Sequence, residues 1–254
     1  MSYLENGTKV AKFTLLGLTD NPDLEVPLFM MFTLIYLVTL IGNLGMIVLI
    51  WLDSRLHTPM YLFLSNLSLA DCVYSSAVTP KLMAGLLTGD KVISYGRCVV
   101  QMFFFVSFAS VDCFLLAVMA FDRHAAVCKP LHYATTMTTS VCTHMVIGCY
   151  AWGLIESAVH TGFTFSLSFC RSKLVHHFFC DIPPILALSC SDISVNEIIL
   201  FILASFNVCF ALIVILTFYV FIFIAILRMR SAGIDSAEIM VPSITEEIRF
   251  MERQ

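Results

Sequence analysis

Five stretches of this chain are nearly free of charge, and each is long enough to cross a lipid bilayer. Val26–Leu52 and Ile198–Leu227 contain no charged residue. Pro59–Pro80 contains only Asp71, Val99–Phe121 only Asp112, and Val141–Ser168 only Glu156. At ~1.5 Å per residue a helix over any of them exceeds the ~30 Å hydrocarbon core. Apolar residues occupy every side of the runs rather than one stripe, as for helices packed among lipid and one another. The runs are continuous and do not alternate, which selects helices over barrel strands. Composition agrees: 59% of the 254 residues are hydrophobic and 13% are charged, against about a quarter charged in soluble domains. The predicted fold is an all-α membrane protein. Residues 1–25 form the segment before the bundle, 26–230 the bundle, and 231–254 a tail.

The formal net charge of -4 says little, because the charges sit in loops and ends. No basic face points to nucleic acid. Residues 1–25 lack a basic stretch followed by an apolar core, so the first span is expected to act as its own insertion signal. The Lys and Arg count on the two sides is too even to fix the orientation. Asn6-Gly7-Thr8 is a glycosylation sequon, usable only in the lumen, and predicts an outside N-terminus with Asn6 modified. A second sequon at Asn66 lies inside a span and is expected to be unusable.

Ten cysteines are present. With the N-terminus outside, Cys98, Cys170, Cys180 and Cys190 all fall outside, where disulfides persist. Four cysteines allow three pairings, and arithmetic does not choose among them. Cys72, Cys113, Cys142, Cys149 and Cys209 read as apolar packing residues.

The segment Met119-Ala120-Phe121-Asp122-Arg123-His124-Ala125-Ala126-Val127-Cys128-Lys129-Pro130-Leu131-His132-Tyr133 places an Asp-Arg pair directly after the third run. It resembles the signature of odorant receptors, a branch of the rhodopsin-like G-protein-coupled receptors, and departs from it at Phe121, His124, Ala125 and Val127. Further marks follow the same order: Gly42-Asn43, Leu56-His57-Thr58-Pro59-Met60-Tyr61, Leu67-Ser68-Leu69-Ala70-Asp71, Trp152, His177-Phe178-Phe179-Cys180-Asp181 and Ser189-Cys190-Ser191-Asp192. The resemblance implies a rhodopsin-like helical bundle with five of the usual seven helices. It also implies a Cys98–Cys180 disulfide, leaving Cys170 and Cys190 to close a second, local loop. The same resemblance implies a receptor in the cell membrane that binds small volatile odorants and signals through a stimulatory olfactory G protein. Asp122 and Arg123 would pair at rest and separate to open the G-protein site. Phe105, Val106, Ala109 and Ser110, with Phe206 and Asn207 opposite, correspond to ligand-pocket positions.

The match ends after Ala232. There the family continues with a short basic loop and two more spans. Residues 233–254 instead carry Asp235, Glu238, Glu246, Glu247 and Glu252 and contain no run long enough to cross a membrane. The expectation is a chain truncated after its fifth span, with a divergent acidic cytoplasmic tail. The alternative function is therefore a non-signalling membrane product of an odorant-receptor gene, retained in the endoplasmic reticulum.

Polar groups inside the runs narrow the chemistry. An intramembrane charge costs ~2.5–3.5 kcal/mol or more and usually faces a partner. Asp71 and Asp112 lie on sequential antiparallel spans at similar depth, Asp112 being roughly 16 Å from Arg123 along its helix. Either the two acids share a cation, which the resemblance identifies as sodium, or one is protonated and hydrogen-bonded to Asn43 or Ser68. Glu156 and His160 share a helical face and either satisfy each other or face a ligand or metal. Met102, Phe105 and Ala109 share a face with Asp112, and Gln101, Ser107 and Ser110 are candidate polar anchors of an apolar pocket. A transporter should show inverted repeats, and none is visible. No phosphate loop, catalytic triad order or zinc helix suggests an enzyme.

Overall fold

A computed structural model describes residues 12–19, 21–169 and 174–231, with side chains through residue 228. The Asn6 sequon, Cys170, and the tail from residue 232 onward lie outside the described residues. Five long helices dominate: α1 (Pro22–Leu52), α2 (Pro59–Thr88), α3 (Tyr95–Cys128), α5 (Thr139–Phe165) and α7 (Ser194–Ser231). Two short ones, α4 (Pro130–Thr136) and α6 (Ile182–Leu186), sit at opposite ends of the bundle.

Local chemistry sets the helix starts. The Asn21 side chain accepts from the Asp23 amide at 3.0 Å, Pro22 opens α1, and Asp23 and Glu25 occupy its first turn. Each satisfies or complements the free amides and positive end of a helix N-terminus. Thr138 caps α5 through the Val141 amide, and Asp181 caps α6 through the Ile182 amide. Asp192 accepts from the Ser194 amide at 3.0 Å and its hydroxyl at 2.6 Å where α7 begins. Those two bonds hold the Asp192 carboxyl below its ordinary range. The α2 helix ends at Gly89, whose φ of +68° suits glycine and lets its amide close onto the Gly85 carbonyl.

Most helices outrun the apolar stretches. The second run was expected to stop at Pro80, but α2 continues to Thr88, because an internal proline removes only one amide donor. The expected span 141–168 stops as helix at Phe165. By length and composition alone, α1, α3 and α7 are apolar enough to cross a membrane. The α5 helix is less apolar because it carries Glu156, Ser157, His160, Thr161 and Thr164, all of them buried in the bundle.

The central helix is α3, which packs against α2, α5 and α7, while α1 packs on α2. The α5 and α3 backbones approach closely at Gly153 of α5. A Cβ there would lie 2.6 Å from the Ser107 carbonyl oxygen and 2.8 Å from Val111 Cγ2 of α3. One apolar cluster joins Phe63, Val111, Leu115, Cys142 and Cys149 in the bundle. Much of α1 and α7 is apolar and exposed, including Leu34, Val38, Ile41, Phe201, Ile213 and Phe223. Water would penalise such faces by ~25 cal/mol per Å², and lipid does not.

No strand was expected, yet one end of the bundle carries a small sheet. β1 (Lys12–Leu15) lies between β2 (Val92–Ser94) and β3 (Leu174–Val175). It pairs antiparallel with β2, Phe13 opposite Ile93, and parallel with β3, Leu15 opposite Val175. Strands of two to four residues are too short to show alternation in a sequence. Phe13 is fully buried, stacked on Tyr95 and edge-on to Phe169. With Leu15, Ile93, Met102, Val175 and Ile185 it forms a second apolar cluster around Cys98 and Cys180.

Candidate functional site

At the sheet end, Cys98 in the first turn of α3 is disulfide-bonded to Cys180, with 5.5 Å between their Cα atoms. Cys190 is also disulfide-bonded. Gln101, one turn into α3, donates to the Ala77 carbonyl at 2.9 Å and accepts from the Cys180 amide at 3.0 Å. Both ends of its amide are thus engaged, and Gln101 braces α2 and the Cys180 loop instead of anchoring a ligand. Cys72, Cys142 and Cys149 are buried as expected, whereas Cys209 is exposed on α7. Helical periodicity could not be assigned in a run that is apolar all round.

The ligand-pocket positions fall on α3 and α7. Phe105 stacks on Tyr74 of α2 at 5.0 Å and leans on Phe179 at 4.9 Å. Val106 packs against the sheet-end cluster, and Ala109 is half-buried. Phe206 is 45% exposed and contacts Trp152 and Phe210. Ser110 and Asn207 are buried, and Glu156 of α5 joins them. Ser110 Oγ donates to Glu156 Oε2 at 2.6 Å. Asn207 Nδ2 lies 2.6 and 2.7 Å from the two Glu156 oxygens and 3.2 Å from Ser110 Oγ. Trp152 Nε1 donates to Asn207 Oδ1 at 3.2 Å.

Glu156 keeps its expected same-helix partner and gains others. His160 Nε2 stands 3.7 Å from Glu156 Oε1 as an ion-pair partner, and the shorter hydrogen bonds come from α3 and α7. Sequence spacing reveals partners one turn away on the same helix. It carries no sign of a partner 46 or 51 residues distant. A glutamate within an apolar run that also places serine and asparagine in neighbouring runs was the only available hint.

Deeper in the bundle, Asp71 and Asp112 lie within electrostatic reach of each other. Asn43 donates to its own helix at the Thr39 carbonyl, and no hydrogen bond links it or Ser68 to either acid among the described residues. Asp112 Oδ1 is buried without a hydrogen-bond partner among the described residues.

At the opposite end, Asp122 is 2% exposed and Arg123 is exposed. The expected Asp122–Arg123 ion pair does not form among the described residues. Asp122 Oδ1 instead accepts the Tyr133 hydroxyl of α4 at 2.8 Å, and Arg123 Nη2 contacts Met60 Sδ of α2. Neighbouring residues on a helix point about 100° apart, so one turns inward beneath α4 while the other turns out. His124 packs on Phe218 and Phe221 of α7.

The olfactory receptor family model matches residues 32–237. The chain belongs to the olfactory receptor family. It is 61% identical over 228 residues to human olfactory receptor 5B12, covering 90% of this chain and 73% of that receptor. It is 63% identical to human olfactory receptor 5B2 over 90% of this chain and 74% of the relative. Mouse olfactory receptor 5B21 is 59% identical over 91% and 73%. As a member of this family the chain is a multi-pass membrane protein with a rhodopsin-like helical bundle. In olfactory receptor terms, one polar cluster ties α3, α5 and α7 together near the pocket positions, and the Asp-Arg pair marks the other end of α3.

Proposed function

We propose that this chain binds small volatile molecules between α3 and α7 and passes the event to a stimulatory olfactory G protein at the Asp122–Arg123 end. The observation that carries this reading is the arrangement around Arg123. Its guanidinium is exposed at the end of the central helix while Asp122 is occupied by Tyr133. Arg123 is thus open to a soluble partner, and a shift of α3 against α7 would change its presentation. Family membership supports the reading, as does the half-exposed aromatic wall of Phe105 and Phe206 beside Ala109. Two disulfide-bonded sites at the sheet end favour that end as the outside and the Asp122–Arg123 end as the cytoplasm. The working location is the cell membrane. Surface labelling in cells with the olfactory G protein, followed by an odorant panel and cyclic-AMP readout, tests this. A ligand-dependent rise, lost in Arg123→Ala, is expected; surface-delivered chain without any rise overturns it.

The Asp71 and Asp112 carboxylates are proposed to hold a sodium ion between them. The residues fit: oxygen donors suit a hard cation, and the unpartnered Asp112 oxygen provides an open ligand atom. When bound, the ion would neutralise the mutual repulsion of two acids on adjacent helices. Thermal stability in sodium chloride should exceed that in choline chloride, and Asp112→Asn should remove the difference. Equal stability of the unsubstituted chain in both salts would end this assignment.

A further inference from the structure

We infer that Glu156 is a positioning residue that leaves the α3–α5–α7 wall with hydrogen-bond acceptors only, so that this chain prefers odorants bearing a hydroxyl over the matching carbonyl compounds. This rests on the reading that Ser110 and Asn207 face the odorant.

The argument is a count of hydrogens. Ser110 has one, and its shortest acceptor is Glu156 Oε2 at 2.6 Å, closer than the Val106 carbonyl at 3.1 Å. Hydrogen bonds to a carboxylate are about twice as strong as neutral ones, so Glu156 takes it. Asn207 has two amide hydrogens, and its three nearby acceptors are the Glu156 oxygens and Ser110 Oγ. The Trp152 indole hydrogen goes to Asn207 Oδ1. Every donor in the cluster is therefore spent inside it. What remains is acceptor capacity: a second lone pair on Asn207 Oδ1, and one on Ser110 Oγ.

A ligand hydroxyl can donate to such a wall without displacing anything. A ketone or aldehyde brings only an acceptor, and would have to take a hydrogen from Glu156 or leave its own oxygen unpaired in an apolar site. Glu156 is 4% exposed, so its lost bond would not be replaced by water. Without Glu156, the hydrogens of Ser110 and Asn207 would turn to the ligand and the wall would accept carbonyls. The cluster acts through Ser110 and Asn207, and Glu156 itself need not touch the odorant.

The test uses the whole chain in lipid nanodiscs with Trp51→Phe. Trp51 is 78% exposed at the end of α1, and its removal leaves Trp152 as the reporter of the cluster. Matched secondary alcohols and ketones, such as 2-octanol and 2-octanone, are titrated against Trp152 fluorescence. The alcohol should act at a concentration about tenfold lower than its ketone, one hydrogen bond's worth of discrimination. Glu156→Leu should bring that ratio to one or invert it. Glu156→Gln, which keeps one acceptor oxygen, should fall between. A merely structural role would weaken both ligands alike and leave the ratio unchanged. Circular dichroism checks the fold; if Glu156→Leu does not fold, the ratio in Glu156→Gln decides. Equal potency of alcohol and ketone before substitution, or a ratio unmoved by substitution, overturns the inference while binding stands. If no pair perturbs Trp152 at all, the pocket reading fails and the inference with it.

Discussion

Gly153→Ala should loosen the bundle where α5 meets α3. The added methyl would sit 2.6 Å from the Ser107 carbonyl oxygen and 2.8 Å from Val111 Cγ2. Val111 can rotate, but Ser107 O is backbone of α3, so relief requires the two helices to part. Overpacking of this kind costs ~1–3 kcal/mol, and a backbone contact on one side places it near the upper half of that range. Alanine recovers up to ~1 kcal/mol of helix propensity over glycine. The net loss is then ~1–2 kcal/mol, or a fall in Tm of about 3–6 °C for a chain this size. Buried Cys72, Cys142 and Cys149 make the assay direct, since a thiol-reactive dye reports their exposure on heating. Gly148→Ala is the matched control on the same helix, because nothing lies within 4 Å of its added Cβ. A Gly153→Ala chain that melts at or above the unsubstituted one would show that α3 and α5 do not approach as described.

Cys98→Ser should destabilise more, by ~4–5 kcal/mol, because the bond closes a loop of 82 residues in the unfolded chain; dithiothreitol should lower the melting temperature of the unsubstituted chain in the same direction. Tyr133→Phe removes the donor to a carboxylate that is 2% exposed, with an expected cost of ~1–3 kcal/mol in the same melt. Asp90 gives a pH signature outside the membrane. The Lys81 ammonium 3.1 Å away, aided by the Val92 amide, holds the Asp90 carboxyl below its ordinary 3.8. A depressed folded-state value means the stabilisation is present above the unfolded value and lost as pH falls through the folded one. Asp90→Asn should therefore flatten the melting temperature between about pH 5 and pH 3, where the unsubstituted chain declines.

The bundle was legible because its rule is coarse: an uncharged run longer than the hydrocarbon core must be helical, whatever its order of residues. Cys98 and Cys180 were paired by likeness to a family, not by spacing, whereas Asp122 and Arg123 were placed at a helix end because they close a long apolar run, and only their role came from likeness. What stayed hidden depends on rotation and on distant partners. A helix apolar all round gives no phase, so the inward side of Asn207 was legible only through likeness, and Cys209 was misread as buried. The divergence of Asp122 and Arg123 had a local cause that was legible in principle, since adjacent helical residues face different ways. The Glu156 cluster joins three helices across gaps of tens of residues, and no periodicity encodes that.

The sheet imposes an order on biosynthesis. Its middle strand, Lys12–Leu15, leaves the ribosome first, yet its partners are Val92–Ser94 and Leu174–Val175. Two long helices are made before the partner β2 exists, and four before β3 completes the sheet. Cys180 emerges only a few residues after β3, so the oxidation that ties it to Cys98 and the docking of Phe13 become available at nearly the same moment. Strand β1 is thus locked into a complete sheet only once α5 and the segment after it have been made.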